Sequence, residues 1–84
     1  MIFSDQPFSK LRDVLMELGF EERPIEGKYL GYFHRASDTL FTFRKYNLQD
    51  KVSMADLIMV RKQLDWRGLL NQETFDATLS KVSA

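Results

Sequence analysis

The chain has 84 residues, which fits one domain and leaves no room for a second. It contains no cysteine, which excludes disulfides, thiolate zinc sites and a cysteine nucleophile. No apolar run approaches the ~18 residues that a membrane-spanning helix needs, and the N-terminus lacks the pattern of a signal peptide. We therefore expect a single cytoplasmic domain over residues 1–84, with no membrane segment, no metal and no cofactor.

The formal net charge is zero, but the charges are unevenly distributed along the chain. Residues 1–27 carry three basic and six acidic side chains, a net charge of −3. Residues 28–62 carry seven basic and three acidic side chains, a net charge of +4. The basic middle favours an anionic partner such as RNA. The excess is small, so a protein partner stays open as well.

Residues 9–18 are predicted to form the first helix, because leucine and valine recur there at helical spacing. Ser9 is the predicted N-cap, with Asp5 as a competing start. Gly19 should end the helix, since it can adopt the left-handed C′ conformation without a Cβ penalty. Met16 is expected to fill a gap in the core.

Three strands are predicted, over residues 20–25, 29–35 and 40–46. The first is polar and contains Pro24, which cannot donate to a ladder, so it should be a short edge strand. The second and third should form an antiparallel hairpin, because a stretch of turn-forming residues separates them. Because side chains alternate between the two faces of a strand, Phe41 and Phe43 are predicted to lie on the same face.

Ser53 is predicted to cap the second helix, with Asp56 completing a pattern close to a capping box. Arg61 and Lys62 are expected in its last turn, where cations suit the helix dipole. The Arg67-Gly68 pair should break the helix. Its buried stripe is predicted to comprise Met54, Leu57, Ile58 and Leu64.

Asn71 should cap a short third helix, in which Phe75 and Leu79 lie one turn apart. Residues 80–84 are expected to fray. The element order is thus α-β-β-β-α-α, an α+β class. We predict two layers, with a three-stranded antiparallel sheet, all helices on one of its faces, and the other face open to solvent or to a partner.

Five stretches within residues 9–76 carry a family resemblance. They are Lys10-Leu11-Arg12-Asp13-Val14-Leu15 leading into Gly19-Phe20, then Gly27-Lys28-Tyr29, the third strand with its loop, the helix from Ser53 to Leu64, and Glu73-Thr74-Phe75. Together with the element order, they resemble the HicA-like family of small bacterial toxins, which have a double-stranded-RNA-binding-domain-like fold. The resemblance implies a ribonuclease that cleaves mRNA and is silenced by a partner antitoxin.

The family's second strand typically opens with Gly-Ser-His, and that histidine carries the catalysis. Here the triplet reads Gly27-Lys28-Tyr29, so Tyr29 holds the catalytic position. A phenol is a poor general base near neutral pH, so efficient cleavage is not expected from this position. His34, the single histidine, is the second catalytic candidate. Strand alternation predicts it on the face opposite Tyr29.

Four cations are candidate RNA contacts, since cations hold phosphates and neighbouring tyrosine rings can stack on bases. They are Lys28, Arg35, Arg44 and Lys45. Alternatively, these cations form a solvated face and the rings of Tyr29, Tyr32 and Tyr46 line the edge of the core. Trp66 could anchor a partner protein; the interpretation we favour is that it covers the junction between the second and third helices.

The sequence leaves three alternative functions open. The first is a HicA-like domain of a toxin–antitoxin system that binds single- or double-stranded RNA, or an antitoxin, without efficient cleavage. The second is an active RNA-cleaving toxin that uses His34 or Tyr29. The third is a protein-interaction module that keeps the scaffold without nucleic-acid activity, which the net charge of zero favours.

Overall fold

The computed structural model describes residues 6–80 and confirms the α+β class, with three helices and one antiparallel sheet of three strands. The elements are α1 (Phe8–Glu17), β1 (Glu21–Ile25), β2 (Tyr29–His34), β3 (Thr39–Arg44), α2 (Met54–Trp66) and α3 (Gln72–Ser80). Asp5, the alternative helix start, lies outside the described residues. Of the tail that we expected to fray, Ser80 is the last residue of α3 and residues 81–84 lie outside the described part.

The strands follow one another in the order β1-β2-β3, so β2 is central. β1 pairs only with β2 and carries Pro24, which confirms the predicted edge strand. In the predicted hairpin, the register of β2 and β3 runs from Tyr29 opposite Arg44 to His34 opposite Thr39. This register fixes which side chains meet at each end of the sheet.

One face of the sheet packs against all three helices, and the other face is open. On β3, Phe41 and Phe43 are buried, whereas Leu40, Thr42 and Arg44 are exposed. The predicted division of β3 into two faces is therefore confirmed. The buried hydrophobic residues form one cluster: Phe8, Leu11, Val14, Leu15, Phe20, Tyr32, Phe41, Phe43, Val52, Leu57, Val60, Leu64, Phe75 and Leu79.

The start of α1 is held by the backbone of a distant loop. Ser9 lies inside the helix, and the N-cap position is Pro7, which makes no capping side-chain bond, so the predicted Ser9 cap is wrong. The backbone N–H groups of Phe8 and Ser9 instead donate to the carbonyls of Asp50, at 2.7 Å, and Leu48, at 3.0 Å. These two bonds satisfy donors that a capping side chain would otherwise serve.

The end of α1 follows the prediction. Gly19 has φ +97°, the left-handed region that favours glycine. Its N–H donates to the Met16 carbonyl at 3.1 Å, and the Phe20 N–H donates to the Leu15 carbonyl at 2.9 Å. This pair of bonds is a Schellman motif, and Phe20 is buried beneath it. The Met16 side chain is 41% exposed, so its predicted place in the core is wrong.

The start of α2 is also as predicted, since the Ser53 Oγ accepts a bond of 3.2 Å from the Asp56 N–H. The helix runs on to Trp66, so Arg61 and Lys62 do not lie in its last turn and that prediction is wrong. Helix-compatible residues continue until Gly68, whose φ of +73° ends it.

Arg61 connects α2 to α3. Its guanidinium makes two bonds to the Asp76 carboxylate, at 2.9 and 3.0 Å. Arg61 therefore links α2 to α3, whereas the prediction had given it the role of a cation at the C-terminal end of the α2 dipole.

The buried face of α2 begins one turn after the helix starts. Leu57 and Leu64 are fully buried and Ile58 is half-buried, as predicted. Met54 is 49% exposed, so its predicted place in the stripe is wrong, and Val60 is buried instead. Met54 is the first residue of α2, where the helix extends past the core.

The third helix agrees with the prediction. The Asn71 Oδ1 accepts a bond of 2.8 Å from the Thr74 N–H, as an N-cap does. Phe75 and Leu79 are fully buried, and α3 contacts both α1 and α2.

Candidate functional site

A groove of about 550 Å³ lies where the start of β2 and the end of β3 approach the first turn of α2. We call it the Tyr29 groove. It is lined by Lys28, Tyr29, Arg44, Tyr46, Ser53 and Asp56. The sheet and the helix layer thus contribute to one surface.

The β2–β3 register places Arg44 beside an exposed tyrosine and brings two more cations to the same end of the sheet. Tyr29 lies directly opposite Arg44, and the ladder continues one residue further, where the Lys45 N–H donates to the Lys28 carbonyl at 2.8 Å. Pairs that are not hydrogen-bonded to each other, such as Tyr29 and Arg44, bring their side chains closest. Tyr29 is 54% exposed, so the residue is accessible from solvent.

Tyr46 forms a fixed wall of the Tyr29 groove. Its ring stacks on Phe8, with ring centroids 5.1 Å apart and an angle of 22° between the planes. Its hydroxyl donates to the Asp56 Oδ2 at 2.6 Å and accepts from the Ser53 N–H at 3.1 Å. Both the ring and the hydroxyl are therefore held in place.

The charges in the groove are not balanced. Lys28 and Arg44 are exposed, and within residues 6–80 no carboxylate lies within ion-pair distance of either. The single carboxylate of the lining, Asp56, accepts the Tyr46 hydroxyl and stands in the first turn of α2, where the helix dipole stabilises a negative charge. Both cations are thus available to an anionic ligand.

A second groove, of about 440 Å³, shares Tyr46 and is lined also by Lys45. Its far wall holds a polar network in which the Tyr32 hydroxyl donates to the Glu22 Oε2 at 2.9 Å, and the Arg12 Nε donates to the same oxygen at 3.3 Å. Burial of the ring, and next the bond to Glu22, raise the pKa of Tyr32 above its ordinary range. Tyr32 is therefore a buried hydrogen-bond donor and not a surface for stacking.

The two catalytic candidates lie at opposite ends of β2. Tyr29 begins the strand and His34 ends it, about 17 Å away at about 3.4 Å per residue. The His34 Nδ1 lies 2.7 Å from the Ser37 Oγ and accepts the Ser37 N–H at 3.3 Å. Its ring packs on Phe20, with centroids 4.9 Å apart. The structure therefore places His34 at the end of β2, next to the β2–β3 turn and outside the Tyr29 groove.

The four predicted RNA contacts are separated in the same way. Lys28 and Arg44 line the Tyr29 groove, and Lys45 lines the adjoining groove. Arg35 lies in the turn at the other end of the hairpin. The hairpin thus brings three of the four predicted cations to one end of the sheet.

Trp66, the predicted protein anchor, lies at the last position of α2 with 80% of its surface exposed. The interpretation that it covers the junction between α2 and α3 is therefore wrong. Leu69 and Leu70 are packed against the core at that junction, since the Schellman turn after α2 directs them inward. Anchoring of a partner by Trp66 stays a prediction.

Two lining residues of the groove, Ser53 and Asp56, were not recognised as site residues from the sequence, and Tyr46 was considered only as a ring that stacks on bases or lines the edge of the core. Ser53 and Asp56 have the spacing of a capping box, which locates a helix start but not its distance from the sheet. Tyr46 lies two residues beyond β3, and only the fold shows that its hydroxyl reaches α2.

The described part of the chain contains no group of three or more His, Cys, Asp or Glu side chains arranged to hold a metal ion. Within that part, each helix is too short or too polar to cross a membrane. Comparison with protein-family models, with curated proteins and with solved structures finds no match to this chain. The functional conclusion therefore depends on the site itself.

Proposed function

We propose that this protein is a HicA-like domain that binds RNA in the Tyr29 groove without cleaving it efficiently. The observation that carries the proposal is the pair of cations without ion-pair partners, Lys28 and Arg44, which line the same groove as the exposed Tyr29. The family resemblance supports it independently, since Tyr29 occupies the position of the family's catalytic residue and that position lines the groove.

The groove suits the two chemical components of an RNA strand. Lys28 and Arg44 would hold adjacent phosphates, and the free face of Tyr29 would stack on a base between them. Unstacked bases are available in single strands and loops, so we expect preference for single-stranded over double-stranded RNA. Tyr46 would support one wall, because its ring and hydroxyl are both held.

Slow or absent cleavage follows from the same geometry. Activation of a ribose 2′-hydroxyl needs a general base within hydrogen-bond reach. No imidazole lines the groove, since His34 lies at the other end of β2 and its Nδ1 accepts from Ser37. The phenol of Tyr29 takes the place of the base that the family uses.

A second candidate function is protein interaction, which one observation favours. Trp66 is 80% exposed, and tryptophan is enriched among residues that dominate protein interfaces. Trp66 lies at the opposite end of α2 from Ser53 and Asp56 of the groove. A partner such as an antitoxin, anchored there, would leave the Tyr29 groove uncovered, so the two functions can be tested separately.

The test is binding of a short labelled RNA, single- or double-stranded, measured by fluorescence anisotropy at two salt concentrations. Neutralising two phosphates of a single strand predicts a loss of affinity of about sevenfold between about 50 and 200 mM salt. Lys28→Ala and Arg44→Ala should each weaken binding and lower the salt slope by about 0.7. Gel analysis of the same samples should show intact RNA.

Arg35→Ala is the matched control, because Arg35 is an exposed arginine of the same hairpin at the other end of the sheet. It should leave affinity and salt slope unchanged. Absence of binding at the lower salt concentration would contradict the proposal, and so would equal losses in Arg35→Ala and Arg44→Ala. Cleavage that Tyr29→Phe abolishes would show an enzyme instead. Trp66→Ala should not alter RNA affinity; its effect is expected only on a protein partner.

A further inference from the structure

The two edge strands of the sheet are protected to different extents. β1 carries Pro24 and three charged residues, Glu21, Glu22 and Arg23, which discourage pairing with another strand. β3 has neither proline nor charge over residues 40–43, which read Leu-Phe-Thr-Phe. Such a segment has high β-propensity and a free edge, so it is the part of the sheet that can accept another strand.

The backbone groups at this edge can be assigned. The Lys45 N–H donates to the Lys28 carbonyl, so this pair is hydrogen-bonded. Hydrogen-bonded and non-hydrogen-bonded pairs alternate in an antiparallel ladder. Leu40, Thr42 and Arg44 therefore direct their N–H and carbonyl groups away from β2. In residues 6–80, no backbone bond joins these three residues to another element.

We propose that a second copy of this chain pairs with this edge, β3 against β3, to make a continuous six-stranded sheet. The strands are antiparallel, with Phe41 on the two-fold axis. Leu40 then lies opposite Thr42 of the second copy, and the symmetry repeats that pair on the other side of the axis. Both residues of each pair carry outward backbone groups, so the register allows four new hydrogen bonds.

Charge complementarity selects both the partner and the register. Asp38 precedes β3 and Arg44 ends it. In the register centred on Phe41, Arg44 of each copy reaches the turn before β3 of the other copy, where Asp38 lies with φ +52°, so opposite charges meet at both ends of the interface. A shift by two residues in either direction removes both ion pairs. Because the turn before β3 carries the negative charge and the end of β3 carries the positive charge, two antiparallel copies of this edge are complementary.

The apolar surface next to this edge agrees with the same arrangement. Leu40 is 54% exposed on the open face, next to Phe33 of β2. On its other side Phe33 is covered by the Arg23 guanidinium, 4.4 Å above the ring. Pairing of two β3 strands would bring Thr42 of the second copy beside Leu40, extending a surface that the single chain leaves open. The inference does not depend on RNA binding, and it competes with RNA at Arg44, since one guanidinium cannot pair with Asp38 of the second copy and hold a phosphate at the same time.

Sedimentation equilibrium without RNA, from about 1 µM to about 500 µM protein, tests the pairing by mass action. The wild-type chain should form dimers. Thr42→Pro removes an N–H that points away from β2, so it should weaken association at least about tenfold while far-UV circular dichroism stays unchanged. Thr42→Val is the matched control, since it keeps the N–H and the β-propensity, and it should dimerise like the wild type.

Two double variants test the register without proline. L40K/T42E places lysine opposite glutamate of the second copy and should still dimerise, more weakly at high salt. L40K/T42K places like charges in the same positions and should be monomeric. A wild-type chain that stays monomeric at the highest concentration would overturn the proposal. So would equal association of the two double variants, or a folded Thr42→Pro that dimerises as tightly as the wild type.

Discussion

The hydroxyl of Tyr46 lies 2.6 Å from the Asp56 Oδ2 and connects the segment after β3 to the first turn of α2. The Tyr46 hydroxyl oxygen also accepts the Ser53 N–H, and the Tyr46 ring stacks on Phe8 of α1. One side chain thus holds the sheet end and two helices at fixed positions. The shape of the Tyr29 groove depends on this contact.

Tyr46→Phe is expected to lower the free energy of unfolding by about 1–2 kcal/mol, because the Asp56 carboxylate loses a donor and the Ser53 N–H loses an acceptor. The stacking on Phe8 is kept, so the loss reports the hydroxyl alone. Urea unfolding followed by circular dichroism measures it. Tyr29→Phe is the control, since the Tyr29 ring is 54% exposed, and it should change stability by less than about 0.5 kcal/mol. Equal effects of the two variants would contradict the role of Tyr46.

Phe43→Ala should lower the free energy of unfolding by about 3–5 kcal/mol, since the side chain is buried and packs on Phe8 and Tyr32. The control is Met54→Ala on α2, where the side chain is 49% exposed and the loss should stay within about 0.5 kcal/mol. Denaturant melts of the two variants measure the difference. A loss below about 1 kcal/mol for Phe43→Ala would mean that the faces of β3 are reversed.

Alkaline pH should destabilise the fold through Tyr32. Burial raises the pKa of Tyr32 in the folded state, with the bond to Glu22 as the next cause, whereas an unfolded phenol titrates near about 10. The contribution of Tyr32 to stability is thus fully present below pH ~10 and is lost as the pH rises toward the folded-state value. At pH ~11 the loss should be about 1 kcal/mol, read from urea midpoints at pH ~8 and pH ~11.

Tyr32→Phe separates this effect from the titration of other groups. The variant should be less stable than the wild type at both pH values, because Glu22 loses a donor. Its further loss between the two pH values should be smaller by about 1 kcal/mol. The same pH-dependent loss in both proteins would show that deprotonation of Tyr32 does not cause it.

Gly19→Ala should lower the free energy of unfolding by about 1–2 kcal/mol, because φ is +97° and an L-residue is strained there. Space is not the reason, since an added Cβ would lie 3.7 Å from the His34 ring, an ordinary contact. Gly19→Asn is the comparison, because asparagine tolerates the left-handed region better, and its loss should be smaller. Thermal melts that rank asparagine below alanine would contradict this explanation.

Local patterns were sufficient for most of the fold. Periodicity and turn residues predicted each element to within a few residues, and the Ser53 and Asn71 caps were found from spacing alone. The Ser9 prediction failed because of contacts between distant segments, whereas the predictions for Met16 and Met54 were wrong about burial and that for Lys62 about where α2 ends. Ser9 fails as a cap because backbone carbonyls of the loop after β3 serve the helix, and Arg61 bonds to Asp76 on another helix.

The site was less predictable than the fold. Lys28, Tyr29 and Arg44 were recognised as residue types suited to RNA, and hairpin pairing explains why two of them meet. The wall formed by Tyr46 and Asp56 depends on the approach of α2 to the sheet end, which no local pattern encodes. Exposure of Trp66 has the same origin, because aromatic residues are usually covered and only packing shows an exception.

The backbone bonds between the start of α1 and the loop after β3 have a consequence for the order of folding. Phe8 and Ser9 donate to Asp50 and Leu48, and Val52 donates back to Gln6 across an antiparallel bridge between Pro7 and Lys51. These partners are far apart in sequence, so closing the bridge carries the entropy cost of a long loop. Formation of the sheet between these partners shortens the loop that remains to be closed, so we expect the first helix to acquire these bonds late in folding.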